Sequence, residues 1–425
     1  MKSSSLVRSF AVVVLLVAAF GAGWLQGQGD AGPTARPQAG KPTAPKSPQT
    51  DDARAAADAD TLQALEALGY VDAVEAAPEQ SGVTLHQPEA EAGWNLVLSA
   101  HTPEAVIMTM AGEVVHRWHL PFETAFPDSR GGEGDNYWRQ VHLFGDGGIL
   151  AIHEGLGLVR LDRDSKLLWT LEEAVHHDLD VRADGSILVL SRVAHVVPKV
   201  NPDAPLLEDF VVELSPEGAV LSRHSILDAV LDSPWKSTMR MTRDYGDLLH
   251  TNTLEILDDT LTQRIPAFAP GRVLLTIPYL DALAVMDLST DTIVWMTVGG
   301  WLFPHKGTVL DNGHLMVFDN RSHGKHSAVV ELDPAELAVD WSYVGDDTNG
   351  FYSYECGSAQ RLPGGNTLIT ETDAGRSFEV TPDGTVVWDY TNPHRVDVRG
   401  EDKVARLMEV IRVPTQAWPP AKLGQ

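Results

Sequence analysis

The chain of 425 residues carries one cysteine, Cys356. A lone thiol excludes an intramolecular disulfide and any cysteine-based metal site. Positive charge is scarce: 32 Lys and Arg stand against 59 Asp and Glu, for a net charge of −27. That balance excludes adhesion to nucleic acid or to an anionic membrane surface. An anionic small molecule can bind only where the few cations gather locally. Two chemistry-bearing motifs are missing: there is no G-x-S-x-G nucleophile turn and no G-x-x-x-x-G-K-[ST] phosphate loop. Beyond the first 69 residues, long helical patterns are nearly absent as well.

One apolar run of membrane-relevant length is present. Lys2 and Arg8 precede the uncharged stretch Phe10–Leu25. This pattern reads as a signal peptide or a single short membrane anchor over 1–27. Export to the periplasm is expected, with the segment either cleaved or kept as a tether to the inner membrane. Gln26–Thr50 is rich in Gly, Pro, Ala and Lys and reads as a flexible linker. Asp51–Gly69 has helical propensity, with Leu62, Leu65 and Leu68 on one side and Gly69 suited to the C-terminal cap. Linker and short helix together occupy 28–82.

From Val83 to about residue 415 the chain is a succession of short strands. Six stretches repeat one unit of turn, apolar strand, second strand with an acidic turn, and aromatic-bearing strand. The clearest are Gly147–Trp169, Gly271–Trp295 and Gly365–Trp388; weaker copies are Gly93–Trp118, Gly185–His224 and Gly313–Trp341. Turns such as Ala183-Asp184-Gly185 and Asp311-Asn312-Gly313 suit the positive φ of tight connections. Repeats of this length predict an all-β fold, a six-bladed β-propeller. The recurring Trp118, Trp169, Trp295, Trp341 and Trp388 are expected to pack between blades. The longest interruption, Asp228–Thr253, is expected to hold a short helix and cover one face.

The repeat also works as a coordinate system. Seven residues before the turn residues Asp146, Asp184, Asp259, Asn312 and Gly364 stand Arg139, His177, Asn252, His305 and Gly357. Four blades therefore present a polar group at one height, which in a propeller is one mouth of the central channel. His176 and His250 lie close by in sequence. Arginine, histidines and asparagine converging at one mouth suit the handling of an anion. Alternation along a strand lets only one of His176 and His177 point into the channel. His323 and His326 with Asp319 form a weaker, metal-type grouping whose spacing fits no strong zinc pattern. No cofactor or metal is expected.

Four stretches carry a resemblance: His176–Leu190 (HHDLDVRADGSILVL), His250–Leu257 (HTNTLEIL), Pro304–Arg321 (PHKGTVLDNGHLMVFDNR) and Ser358–Tyr390. Together they resemble the bacterial arylsulfotransferases, over roughly residues 69–395. The resemblance implies a six-bladed propeller that moves sulfuryl groups between phenols without a nucleotide, through a sulfo-histidine. By motif, His305 matches the nucleophile. His250 and Asn252 match a supporting histidine and asparagine, and His177 (or His176) a further supporting histidine. One segment departs from the pattern. Where the family carries S-x-R-x-x-x-A, this chain reads Thr276–Ala282 (TIPYLDA), with Pro278 in the arginine's place. Arg139 is the expected source of the missing charge, ahead of Lys306 and Arg321. Two other readings stay open: a propeller that binds without catalysis, for which Pro278 speaks, and a hydrolase that uses the same site with water as acceptor.

Overall fold

The computed structural model describes residues 81–129, 137–398 and 400–418. The apolar N-terminal run, the linker and the expected helix at Asp51–Gly69 lie outside the described residues. Among the described residues, six sheets of at least four strands, antiparallel apart from one short added strand, form six blades, and a two-stranded hairpin stands separately. The fold is a six-bladed β-propeller.

In blades 2 to 6 the inner strand comes first and the repeat unit supplies the three strands outside it. The inner strands are Trp138–Leu143, Val175–Val181, Thr253–Ile256, His305–Val309 and Ser358–Arg361. Strand composition follows radial position. Middle strands such as Val273–Ile277 (VLLTI) are buried throughout, because both faces meet a neighbouring blade. Outermost strands such as Leu167–Leu171 (LLWTL) alternate between half-buried and exposed residues.

The core is divided into wedges, one between each pair of adjacent blades. Leu96 and Leu98 of blade 1 pack with Ile149 and Ala151 of blade 2, while Val97 between them packs with Leu368 and Trp388 of blade 6. Period-2 alternation thus serves two interfaces from one strand. The repeated tryptophans lie largely in these wedges. Trp388 Nε1 donates to the Met110 carbonyl (2.9 Å) and Trp341 Nε1 to the Pro382 carbonyl (2.8 Å), each on the next blade.

Both ends of the described chain close the ring. The inner strand of blade 1 is Leu407–Val413, which pairs antiparallel with Trp94–Ser99. Gly82–His86 adds a fifth strand to the outside of blade 6 by pairing with Val386–Thr391. A helix, Ile226–Leu231, begins two residues before the expected cover segment and runs into it; within the segment a 3₁₀ turn spans Lys236–Met241, and the short strand Gly246–Asp247 runs parallel to Leu206–Leu207. Among the described residues no helix is long and apolar enough to cross a membrane.

Candidate functional site

Each inner strand, in blades 4 and 6 with the residue just before it, contributes two consecutive residues to one central cavity: Arg139–Gln140, His177–Asp178, Asn252–Thr253, His305–Lys306, Gly357–Ser358 and Met408–Glu409. The first member of each pair forms one tier. All five positions aligned in the sequence lie in that tier. The sixth, Met408, escaped the alignment because blade 1 takes its inner strand from the far end of the chain. The cavity measures about 30 Å³, room for a water and no more. A second one, about 10 Å³, joins Arg139, His177 and His250 to Phe303, Glu154 and Cys356. Beyond Phe303 opens a cleft of about 660 Å³ that is also lined by Asp247, Pro278, Tyr279 and Arg321. Its size is that of a small-molecule cleft.

Irregular backbone aims the tier. In blades 2, 3 and 5 the inner strand carries a bulge at Arg139–Gln140, at His177–Asp178 and at Lys306–Gly307. A bulge turns consecutive side chains out of strict alternation. His177, His250, Phe303 and Lys306 hold φ of 56°, 53°, 57° and 44°. Side chains with a Cβ seldom adopt such values, and their clustering at one place is typical of functional sites.

The bulge also changes the relation between the paired histidines. His177 lines the cavity and His176 does not, as alternation requires. Yet the two rings touch, with Nδ1 to Nδ1 at 2.8 Å. Glu154 accepts the His177 backbone N–H at 3.0 Å. The His250 ring lies edge-on to that of His177, 4.8 Å between centroids.

The tautomer of His305 follows from its neighbours. Its Nδ1 lies 2.8 Å from Asn320 Oδ1 and 3.2 Å from the Phe303 carbonyl, both acceptors. Nδ1 therefore carries the proton and Nε2 the lone pair. Nε2 is buried and meets no hydrogen-bond partner. Burial, followed by the charge of Arg139, pushes the His305 pKa down to about 3. The Asn320 amide is fixed in turn by donating to the carbonyls of Ser353 and Cys356, each at 2.8 Å.

His250 behaves oppositely. Its Nδ1 lies 2.5 Å from Asp247 Oδ2, and its backbone N–H donates to Asp247 Oδ1 at 3.1 Å. Burial works against the charged ring, but the Asp247 carboxylate and its hydrogen bond outweigh it and raise the pKa. Burial, with the charges of His250 and Arg139, holds His177 well below the ordinary histidine value. The site thus holds neutral and cationic imidazoles side by side. Asn252 Nδ2 donates to the Pro304 carbonyl at 3.1 Å, which steadies the backbone that carries His305. Arg139 lies 3.8 Å from Glu154 and 3.7 Å from Cys356 Sγ.

Over residues 140–393, more than half of its length, the sequence matches the arylsulfotransferase (ASST) family. The chain belongs to that family. The match supports an arylsulfotransferase-like function in general. It spans blades 2 to 6 and begins one residue after Arg139. No curated protein matches the chain. Among solved structures, a protein of unknown function from Bacteroides caccae is similar at 15% identity, covering 70% of this chain and 93% of its own, with a TM-score of 0.48. A functionally unknown protein from Desulfotomaculum acetoxidans is similar at 10% identity, covering 76% and 100%, TM-score 0.43. A streptogramin B lyase is similar at 10% identity, covering 75% and 88%, TM-score 0.40.

Pro278 opens a 3₁₀ turn, Pro278–Leu280, at the end of the strand Val273–Ile277. The turn lays the Tyr279 ring on His250, 5.1 Å between centroids at 25°. The segment in which the resemblance led one to expect an arginine is thus a turn that supplies an aromatic wall. Of the three substitute cations, Arg139 shares the cavity with His305. Lys306 turns toward the second tier, 3.6 Å from Asp178 and 3.3 Å from Glu409. Arg321 lies between the Phe303 and Tyr354 rings, 3.7 Å from each, in the outer cleft.

His323 and His326 go separate ways, to Asp319 (3.7 Å) and Asp347 (3.2 Å). His101, Glu104 and His394 bring ligand atoms within 4.8 Å of one another. However, the two imidazoles stack 5° from parallel, so their in-plane lone pairs do not converge, and Arg117 pairs with Glu104.

Sequence reasoning missed Asn320, Asp247, Glu154 and Met408. Asp247 had a local signal in its i, i+3 relation to His250, and Asn320 stood inside a family-like stretch. Met408 was implied by six blades having only five aligned positions. Glu154 had no signal.

Proposed function

We propose that the protein transfers a sulfuryl group from an aryl sulfate to a phenolic acceptor through a sulfo-histidine on His305, without a nucleotide. The observation that carries this reading is the buried, unpartnered Nε2 of His305, whose lone pair is fixed by two acceptors on Nδ1. A nucleophile for a sulfate monoester must be neutral, positioned in line, and surrounded by donors for the sulfuryl oxygens. Arg139 supplies the cation within the tier, in place of the arginine replaced by Pro278. Protonated His250 stabilises charge on the oxygens. Asn252 has a second amide hydrogen beyond the one given to Pro304.

The order of events follows. Nε2 attacks sulfur as the S–O bond to the donor breaks, and the phenol departs. An acceptor phenol then takes the group, and the lone pair returns to Nε2. Tyr279 and Phe303 offer faces for the aryl ring in the outer cleft. As in phosphoryl transfer, positioning and electrostatics dominate. The apolar N-terminal run is consistent with work in the periplasm, either released or tethered to the inner membrane.

The test is incubation with 4-nitrophenyl sulfate and a phenol. Nitrophenolate release that depends on the acceptor is expected, together with a sulfo-adduct on His305 by mass spectrometry. Release without acceptor dependence identifies a hydrolase. Absence of both turnover and adduct overturns the enzyme reading in favour of a binding protein.

A further inference from the structure

Ping-pong transfer has a proton problem. The departing phenolate needs a proton in the first half-reaction, and the acceptor phenol must lose one in the second. His250 is poorly suited to give up a proton, since Asp247, 2.5 Å from its Nδ1, stabilises the charged ring and raises its pKa. Behind His177 lies a second set of buried titratable groups that the nucleophile does not touch. His176 and Asp209 are 1% and 2% exposed. His176 Nδ1 meets His177 Nδ1 at 2.8 Å. At that distance one nitrogen must donate and the other accept. His176 Nε2 is buried without a hydrogen-bond partner, and a carboxylate oxygen, Asp209 Oδ1, stands 3.7 Å away. Asp209 Oδ2 accepts the Thr251 backbone N–H at 2.8 Å.

We propose that Asp209 and His176 form a proton relay behind His177, holding the proton that is given to the departing phenol and recovered from the acceptor. The inference rests on the sulfuryl-transfer reading.

In the first half-reaction the donor's S–O bond breaks and the N–S bond forms at His305. The departing oxygen takes the proton from His177 Nε2. His177 Nδ1 takes one from His176 Nδ1, and His176 Nε2 takes the proton of the Asp209 carboxyl. The phenol leaves neutral, Asp209 is left ionised, and both imidazoles stay neutral with their tautomers exchanged. In the second half-reaction the acceptor's proton runs the reverse course while the O–S bond forms and the N–S bond breaks. One proton and one negative charge are conserved throughout.

The surroundings fit this cycle. His176 is faced by Arg192, His250 and Asp247, and by the Ser191 carbonyl. His177 is faced by His250, Arg139 and Glu154. Burial and these cations hold both rings neutral, as tautomer exchange requires. Asp209 is faced by Asp247 and His250. Burial and the Asp247 charge push its carboxyl up, so that it holds a proton near neutrality. When it ionises, protonated His250 and Arg192 balance it and Asp247. Closing the 3.7 Å gap to hydrogen-bond distance takes a shift of about 1 Å.

The test compares donors whose leaving phenols differ in basicity. With Asp209→Asn, the ratio of kcat for 4-nitrophenyl sulfate to kcat for phenyl sulfate should rise about 100-fold over the unmutated protein, since only the more basic phenolate needs an acid. His176→Gln should do the same. A purely structural role slows both donors equally, and an unchanged ratio overturns the relay. A second measurement needs no turnover. ¹⁵N NMR should show the rings of His176 and His177 neutral between about pH 6 and 8. Infrared spectra over that range should show a buried carboxyl band losing its proton that Asp209→Asn removes, beside the bands of Glu255 and Glu371 that it leaves in place. A cationic His176 or His177 at pH 7, or carboxyl bands unchanged by Asp209→Asn, also overturns the relay. If the proton store is found but no aryl sulfate turns over, the transfer reading fails and the store stands.

Discussion

His250 and His177 stand with φ of 53° and 56°, where a Cβ crowds the following carbonyl. For an ordinary residue this costs about 1–2 kcal/mol. The tertiary structure holds them there, and their ring contacts offset the strain. The ordinary order of helix- and strand-based substitutions should therefore invert at this position. His250→Gly should melt at a higher temperature than His250→Ala, by about 1 kcal/mol in stability, although both lose the ring and the Asp247 contact. Equal melting by calorimetry removes the strain argument. His305 makes the complementary case in protonation. With a pKa of about 3, its ring should show no NMR titration between about pH 4.5 and 9. An acid limb in the activity profile above pH 4.5 then belongs to another group. A His305 shift near pH 6 contradicts the burial argument.

At the scale of the element, the bulged inner strand is the device that turns a regular sheet edge into a site. In blade 5, Lys306 takes positive φ and Gly307 follows at close quarters. A Cβ on Gly307 would lie 2.6 Å from a Leu283 methyl and 2.7 Å from Thr276 Oγ1, which accepts the Gly307 N–H. Gly307→Ala should cost about 1–3 kcal/mol and displace His305, two residues away. Denaturant unfolding and turnover would both fall. Full activity with intact stability would show that the bulge has slack. The closing strand acts at the same scale. Leu407–Val413 completes blade 1 and brings Met408 and Glu409 to the channel. A chain ending at residue 405 leaves Trp94–Ser99 as an unpaired edge. It should accumulate as insoluble or protease-sensitive protein, and a soluble, cooperatively melting product would count against closure by this strand.

For the whole molecule, pH acts through buried groups whose slopes oppose each other. His153 and His305 are buried neutral with pKa about 3. In the unfolded chain they take up protons near pH 6.5, so their contribution to stability is lost as pH falls from about 6.5 to 3. Glu255 and Glu371 are pushed up to about 7, chiefly by burial. Such carboxyls keep their protons in the folded state when the unfolded chain has already lost them. They therefore cost stability as pH rises from about 4.5 to 7. Glu371 accepts the Tyr352 N–H at 2.9 Å, and glutamine can keep that bond. Relative to the unmutated protein, Glu371→Gln should melt higher at pH 8 than at pH 5, by an amount approaching a few kcal/mol. A difference that does not change with pH would mean that Glu371 ionises as usual.

The blade count, the turns, the repeated succession of short strands, and the positions that line the channel were legible in the sequence. Short-range alternation and turn chemistry recur in each copy, so equivalent positions align. Those features are local, and local physics sets them. Tertiary structure alone decided which groups support the tier. Asp247 reaches His250 through a short strand laid against blade 3, Asn320 fixes His305 from the next strand of blade 5, and Glu154 meets His177 from blade 2. The closing strand was hidden because its partner lies more than 300 residues away in sequence. Nor does spacing disclose that consecutive histidines touch, since only the bulge breaks the alternation that would part them. A repeat fixes where a position falls within its blade. Protonation and partnership depend on burial and on neighbouring blades, which exist only once the ring has closed.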